Sequence, residues 1–184
     1  LEKRIAITPE IVKKYTSLGF DVCLSENYGS HLGITDEQYL EMGVKISKDE
    51  MEILKTSDII VQVGMLTDDK SSNIKENQTL IGVLSPYENK EKLESLSKKK
   101  INLFSLELLP RITRAQSMDI LSSQANLAGY RSVIDAAEQF PKAFPMMMTA
   151  AGRINPAKVM VLGVGVAGLQ AIATAKRLGA VVSA

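Results

Sequence analysis

Between the apolar run Val159-Met160-Val161-Leu162 and an Ala- and Leu-rich stretch continuing to Leu178 lies the hexapeptide Gly163-Val164-Gly165-Val166-Ala167-Gly168. Gly179-Ala180-Val181-Val182 then opens another apolar run. A G-x-G-x-x-G turn with a strand before it and a helix after it is the phosphate turn of a dinucleotide-binding βαβ unit. Gly163 permits the tight turn. Gly165 lets backbone approach a pyrophosphate with no Cβ in the way. Gly168 lets the helix pack close on the strand, and the helix N-terminus offers free N–H groups to phosphates. A purely structural glycine-rich turn is the competing interpretation, and the spacing to the next strand favours the nucleotide. The ribose-binding acid expected about 20 residues beyond the glycines has no counterpart before Ala184. The chain is therefore expected to be a fragment, cut in the middle of its Rossmann unit.

The rest of the chain alternates helix and strand signals. Thr8-Pro9-Glu10 marks a helix start, with Thr8 as cap, Pro9 in the first turn and Glu10 at the positive end. Ile11, Val12, Tyr15 and Leu18 form its apolar stripe, and Gly19 stops it. Strands are expected at 1–7, 20–25, 58–63, 79–84 and 101–106, with helices at 35–43 and 89–100, the latter ending in the cationic turn Lys98-Lys99-Lys100. Residues 111–140 read as one long helix, broken by Phe140-Pro141-Lys142-Ala143-Phe144-Pro145, and Asn155-Pro156 leads into a buried strand at 158–162. Apolar strands separated by helices predict an α/β fold. The architecture expected is a flavodoxin- or Rossmann-like parallel-sheet domain followed by the start of a second, dinucleotide-binding Rossmann domain. The expected division is 1–125 for an N-terminal catalytic-type domain, 126–145 for a linking helix and linker, and 146–184 for the first βαβ part of the nucleotide domain.

Composition excludes several classes. With 45% hydrophobic and 23% charged residues among 184, the chain is neither disordered nor fibrous. A single cysteine, Cys23, excludes an internal disulfide framework and points to a reducing compartment. A single histidine, His31, in a glycine-rich loop, argues against a metal centre and is expected at the surface. No tryptophan and few aromatics argue against nucleic-acid binding by base stacking. The run Val159–Ala175 is too short and too polar for a bilayer span, and the N-terminus lacks the apolar core of a signal peptide. Cys23 is expected in a strand as a small core residue, and Met146-Met147-Met148 as packing between domains. Charge is uneven. Residues 1–110 hold 14 Lys+Arg against 18 Asp+Glu, and residues 111–184 hold 8 against 3. A basic half suits nucleic acid, a membrane surface or a phosphorylated ligand, or is a solvated surface only.

Pro110-Arg111-Ile112-Thr113-Arg114-Ala115-Gln116-Ser117-Met118-Asp119-Ile120-Leu121-Ser122 opens the long helix with unusual polarity. Gln116, Asp119 and Ser122 are spaced by three, which puts them on one helix face, with Arg111 just ahead. A guanidinium, an amide, a carboxylate and a hydroxyl together suit a carboxamide ring such as nicotinamide. An N-cap with an Arg–Asp surface pair explains the same residues without function.

Taken together, these segments resemble a known family. Arg4-Ile5-Ala6-Ile7-Thr8-Pro9-Glu10 with Leu18-Gly19-Phe20, and Val161 to Gly168 with Gly179-Ala180-Val181-Val182, look like the two signatures shared by alanine dehydrogenases and nicotinamide nucleotide transhydrogenases. Glu107-Leu108-Leu109-Pro110-Arg111 through Gln124, and Ala143 through Gly152, are similar to the transhydrogenase branch. The resemblance implies the NAD(H)-binding component of a proton-translocating NAD(P)+ transhydrogenase, in which hydride passes directly from NADH to NADP+ held on a separate component. It implies a homodimer of this domain, a membrane component that moves protons, and a peripheral place on the cytoplasmic face of the cell membrane, with no nucleic-acid partner. Carried onto this sequence, Arg111, Gln116, Asp119 and Ser122 fall on the nicotinamide-contacting loop, with Gln116 and Asp119 as the catalytic pair. Gly163, Gly165, Val166 and Gly168 fall on the pyrophosphate site. No metal is implied.

Some family features are absent. The opening strand and loop, the second half of the nucleotide domain and the final return to the first domain have no counterpart here. The fragment alone is expected to bind NAD weakly or not at all and to be inactive. Alanine dehydrogenase is the nearest alternative. The resemblance places its lysine in the strand at 58–64 and its histidine at the end of the next. Here those positions read Gln62 and Gly64, then Val83-Leu84-Ser85, so a proton donor and a carboxylate-binding cation are missing. A non-catalytic NAD-binding module is the third possibility; it needs the glycine turn but not the Arg111/Gln116/Asp119/Ser122 set.

Overall fold

The computed structural model describes residues 2–184. Two compact units divide them, one up to Pro110 and one from Arg111 to Ala184. The expected α/β class is what the chain forms.

In the first unit, α1 (Pro9–Ser17), α2 (Asp36–Leu40), α3 (Glu50–Thr56), α4 (Asp68–Ser72) and α5 (Lys90–Lys98) alternate with five short strands. Strands β1 (Cys23–Ser25) and β2 (Lys45–Ser47) pair in parallel. Strands β3 (Ile59–Val61), β4 (Thr79–Gly82) and β5 (Asn102–Ser105) form a parallel sheet in that order. The elements β2, α3 and α4 were not anticipated from the sequence. Their local signals are capping groups more than periodicity: Asp49 accepts N–H bonds from Met51 and Glu52 at the start of α3. Thr35 and Gln38 form a reciprocal capping box on α2.

Two apolar clusters hold this unit. One joins Leu54, Ile60, Leu66, Ile74, Leu80, Leu84, Leu96 and Ile101, and the other Ile7, Val12, Leu24, Tyr39 and Val44. Buried Gln78 links the first cluster's edges. Its Nε2 donates to the carbonyls of Leu54 and Ser57, and its Oε1 accepts from Lys75 N–H. These bonds satisfy backbone groups that burial would otherwise strand.

Several expectations need correction here. Residues 4–7 form no strand, because the Tyr28 hydroxyl accepts the Ala6 and Ile7 N–H groups at 2.9 and 3.2 Å and the Tyr39 hydroxyl donates to the Ile7 carbonyl. Their ladder positions are thereby taken by side chains. Thr8 precedes α1 but makes no side-chain cap; its carbonyl accepts from Ile11 and Val12. Leu18 lies beyond the helix and is exposed, leaving Val12 as the buried centre of that stripe. The strand expected at 20–25 shrinks to β1.

In the second unit the long helix does not start at 111. A 3-10 segment covers Thr113–Met118, and α6 runs Ile120–Gln139 with Asp119 as its N-cap. Helix α6 packs on α7 (Val166–Arg177), and a core of Val133, Phe144, Ala157, Ala171 and Ala175 lies in this unit. The residues expected at the end of the first domain and in a connecting helix are thus grouped with the glycine turn. A hairpin, β6 (Met147–Thr149) with β7 (Gly152–Ile154), leaves Met146, Met147 and Met148 exposed, in contrast to the packing role expected for them. The strand at 158–162 is only β8 (Lys158–Met160). It pairs in parallel with β9 (Val181–Ser183), and Met160 and Leu162 are exposed where a buried strand was expected.

Gly129 on α6 is what lets the two helices meet. A Cβ added there would lie 2.1 Å from the Ala167 carbonyl oxygen, a backbone atom with little room to move. Gly129→Ala is expected to lower stability by about 1–3 kcal/mol through overpacking, read as a lower urea midpoint. Gly165→Ala, whose Cβ meets nothing within 4 Å, is expected to leave that midpoint unchanged.

Candidate functional site

The glycine turn has the geometry its spacing predicts. Gly163 has φ +97°, in the region that side-chain-bearing residues avoid. A Cβ on Gly168 would lie 1.9 Å from the Gly163 carbonyl oxygen, so only glycine lets α7 start this close to the turn. Gly165 faces open space and is the N-cap of α7 with no side-chain cap. The first N–H groups of α7, from Val166 on, therefore keep their capacity to meet an anion, and the helix dipole favours one. No lysine or arginine lies within Val161–Gln170, so a phosphate here would be held by backbone. These residues fit a pyrophosphate.

The second set of residues gathers at the start of α6. Asp119 Oδ1 accepts the Ser122 N–H at 2.9 Å and Oδ2 accepts the Ser122 hydroxyl at 2.7 Å. The Arg111 Nε lies 3.9 Å from Asp119 Oδ2. The Ser122 hydroxyl and N–H bonds, followed by the Arg111 charge, hold the Asp119 carboxyl below its ordinary value. So Arg111, Asp119 and Ser122 are together. Gln116 is not on their helix face: it sits in the 3-10 segment, its carbonyl accepts the Asp119 N–H at 3.3 Å, and its side chain is exposed. The cause is Asp119, whose cap ends one helix geometry and begins another.

One helix connects the two sets. Asp119 caps α6, and ten residues on, about 15 Å along the axis, Gly129 meets Ala167 at the start of α7. Asn126 Nδ2 also donates to Gln170 Oε1 at 3.2 Å. Gly129 and Asn126 were not picked out from the sequence. A glycine in the middle of a long helix was their one available signal.

The first unit contains a cavity of about 350 Å³ along β1 and β3, lined by Arg4, Cys23, Tyr28, Glu50, Gln62 and Gly64 among others. Arg4 is a cation that the sequence comparison with alanine dehydrogenase overlooked. Its guanidinium is bonded to Glu2 at 2.6 and 2.9 Å, and this pairing holds the Glu2 carboxyl down to about 2. Gln62 turns its amide onto the Gly64 carbonyl. Cys23 is half-buried, and burial pushes its thiol up, away from a reactive thiolate. His31 is exposed and donates Nε2–H to the Lys3 carbonyl at 2.7 Å, in keeping with a surface role. Among the described residues no group of His, Cys, Asp and Glu could hold a metal ion, and no helix is long and apolar enough to cross a membrane.

Known proteins share these elements. The description "Alanine dehydrogenase/PNT, N-terminal domain" matches residues 1–128, and "Alanine dehydrogenase/PNT, C-terminal domain" matches residues 132–184. The chain belongs to the alanine dehydrogenase/PNT family. Within that family its likeness is uneven. It is 52% identical to an NAD(P) transhydrogenase subunit alpha of Rhodospirillum rubrum, across 100% of this chain and 49% of the relative. The corresponding NAD(P) transhydrogenase subunit alpha from Rickettsia prowazekii is 50% identical, across 99% of this chain and 49% of the relative. The solved transhydrogenase of Sinorhizobium meliloti superposes with a TM-score of 0.93 at 48% identity, over 98% of this chain and 54% of that one. An L-alanine dehydrogenase structure superposes at 0.83 with 22% identity, over 96% of this chain and 49% of that one, and so shares the fold. The chain thus spans about half the length of the curated relatives it matches.

Glu107 is a further anchor that the sequence did not reveal. Its carboxylate accepts the Ser85 N–H at 2.5 Å and the Leu84 N–H at 3.3 Å, clamping the segment after β5 to the end of β4, where Ser85 has φ +45°. Burial acts to raise its pKa, but hydrogen bonds from its own backbone N–H, the Ser105 hydroxyl and the Ser85 and Leu84 N–H groups outweigh burial and lower it. A lowered folded-state pKa adds stability that is complete above the ordinary value of 4.5 and is lost as pH falls through the folded value. Glu107→Gln is expected to be less stable than the parent at neutral pH. The gap between them narrows as pH falls below 4.5, measured by urea unfolding across that range.

Proposed function

We propose that this chain is the NAD(H)-binding part of a proton-translocating NAD(P)+ transhydrogenase. The observation that carries the reading is the glycine turn joined to the Asp119 cluster through α6, in a chain 40–52% identical to transhydrogenase alpha subunits and 27–29% identical to alanine dehydrogenases. When bound, NADH supplies the hydride that passes to NADP+ on a separate component. The N–H groups at the start of α7, with Gly163, Gly165, Val166 and Gly168, hold the pyrophosphate. Arg111, Gln116, Asp119 and Ser122 would orient the nicotinamide carboxamide, with Gln116 and Asp119 as the catalytic pair. Orientation is the protein's main lever in direct hydride transfer, because rate depends steeply on the approach of donor and acceptor carbons. The reading extends to a homodimer of this domain, to NADP-binding and membrane partner components, and to a peripheral place on the cytoplasmic face of the cell membrane. In the parent protein the functional division falls near 125–145, where the two family descriptions meet.

Pyruvate reductive amination is the second reading, and the Arg4 guanidinium in the cavity is what keeps it worth an assay. The test uses the full-length parent mixed with its NADP-binding component. Transfer of hydride from NADH to an NADP+ analogue, without pyruvate- and ammonium-dependent NADH oxidation, supports the transhydrogenase. Pyruvate turnover instead makes the protein an unusual alanine dehydrogenase. NADH binding with neither reaction leaves a non-catalytic module.

Two variants test the residue roles. Gln116→Ala and Asp119→Ala are expected to slow hydride transfer by about tenfold to a hundredfold while weakening NADH binding less. Asp119→Asn keeps the helix cap and removes the charge, so its rate separates orientation by charge from simple capping. Gly165→Ala is expected to weaken NADH binding with an unchanged urea midpoint, measured by fluorescence titration.

A further inference from the structure

Helices α6 and α7 meet at more than one point. Gly129 lets α6 approach the Ala167 carbonyl, and one turn nearer Asp119 the Asn126 Nδ2 donates to Gln170 Oε1 at 3.2 Å. Counted from Gly129 and Ala167, the bonded pair lies three residues back on α6 and three residues on along α7, about 4.5 Å along each axis. The apolar core engages α6 beyond Gly129 instead, at Val133 and Ala137. Apolar contact is non-directional and tolerates small rotations, whereas a hydrogen bond weakens steeply off its axis. A bond at Asn126 therefore constrains the angle of α6 on the side that leads to Asp119.

The Gln170 amide is itself held. Its Nε2 donates to Thr174 Oγ1 at 3.2 Å, and the Thr174 hydroxyl gives its one proton to the Gln170 carbonyl at 2.8 Å. Thr174 is buried, so this hydroxyl is fixed in place. With that proton committed, Thr174 can only accept from Gln170, which leaves Oε1 as the atom turned to α6. The Asn126 amide meets it as a donor. Asparagine is a poor helix former, so α6 gains nothing in propensity by carrying one in its second turn.

We propose that Asn126 and Gln170 are positioning residues that set the place of Asp119 relative to the pyrophosphate turn, an inference that rests on the functional reading above. The lever is long. Asp119 stands about 15 Å from Gly129 along α6, so a pivot of about 5° there moves it by about 1 Å. A misplacement of that size costs a positioned reaction up to about a hundredfold. A pyrophosphate would meet the N–H groups at the start of α7, and the bonds of both side chains lie elsewhere. Loosening the Asn126–Gln170 bond therefore leaves nucleotide affinity in place while the nicotinamide end loses its alignment.

The test uses the full-length parent, its Asn126→Ala and Gln170→Ala variants and the double variant. Single-turnover hydride transfer to the NADP-binding component is expected to slow about threefold to tenfold in each single variant, with the Kd for NADH within about twofold of the parent's. The double variant is expected to be no slower than the slower single one, because both act through one bond. Without nucleotide, amide hydrogen exchange at 123–129 is expected to quicken about twofold to tenfold in the variants, with 133–139 unchanged. Variants that match an active parent in transfer rate overturn the proposal, and with quickened exchange they leave a bond that serves stability only. Losses that multiply in the double variant, or NADH binding that falls in step with the rate, overturn it as well. A parent that transfers no hydride overturns the functional reading and this role together.

Discussion

The second unit depends on backbone meeting backbone where no Cβ intervenes. Gly168 brings α7 against the Gly163 carbonyl, and Gly129 brings α6 against the Ala167 carbonyl one residue before it. The two contacts are consecutive along the chain of parts: strand end, turn, α7 start, α6 middle. Each is too close for any other residue. A methyl group at either place pushes a helix away from a carbonyl that belongs to the turn itself, so the penalty falls on turn geometry as well as on packing. The exposure of Gly165 between them is the other half of the arrangement. Two glycines are required by what is near, and the third leaves the turn open.

The same logic reconciles two interpretations of Asp119. Capping and ligand orientation do not compete for this side chain. Its two oxygens are both engaged by Ser122, and this fixes the carboxylate on a helix whose middle is already locked to the glycine turn. A cap of this kind can therefore also serve the orienting role proposed for Asp119. The charge remains directed outward, with Arg111 at 3.9 Å, near enough to steer the carboxylate and too far for a tight pair. An exposed pair of this kind adds little stability by itself, which is why its value is better sought in orientation than in folding.

Sequence alone revealed the parts governed by local rules. The glycine turn was legible because spacing, flanking strand and following helix all point the same way. Parallel strands β3, β4 and β5 were legible from apolar runs, although each is shorter than its run. What escaped were features decided by distant groups. Tyr28 and Tyr39 take the backbone bonds of residues 6–7 from more than twenty residues away and prevent a strand. Glu107 reaches back over twenty residues to the end of β4. Gly129 is small because of Ala167, a neighbour in space only. At Asp119 the sequence carried both signals, helix periodicity and a cap, and the periodicity misled: Gln116 left the shared face because a cap interrupts the helix there.

The cavity at β1 and β3 shows how a shared fold can part from a shared chemistry. Its Arg4 is a cation that a small carboxylate could meet, and the fold is shared with an L-alanine dehydrogenase. Yet an incoming carboxylate must displace Glu2, which is tethered two residues from Arg4 and engages it with two side-chain bonds. An intramolecular partner on so short a tether acts at an effective concentration in the millimolar range or above, so a free acid at ordinary concentrations competes poorly. Should it enter, Gln62 and Gly64 offer amide and backbone where reductive amination demands a group that can give and take a proton. The first unit holds a cavity and a cation, but that cation is already paired with Glu2. The reading proposed for this chain rests instead on the second unit, on a turn and a cap joined by one helix.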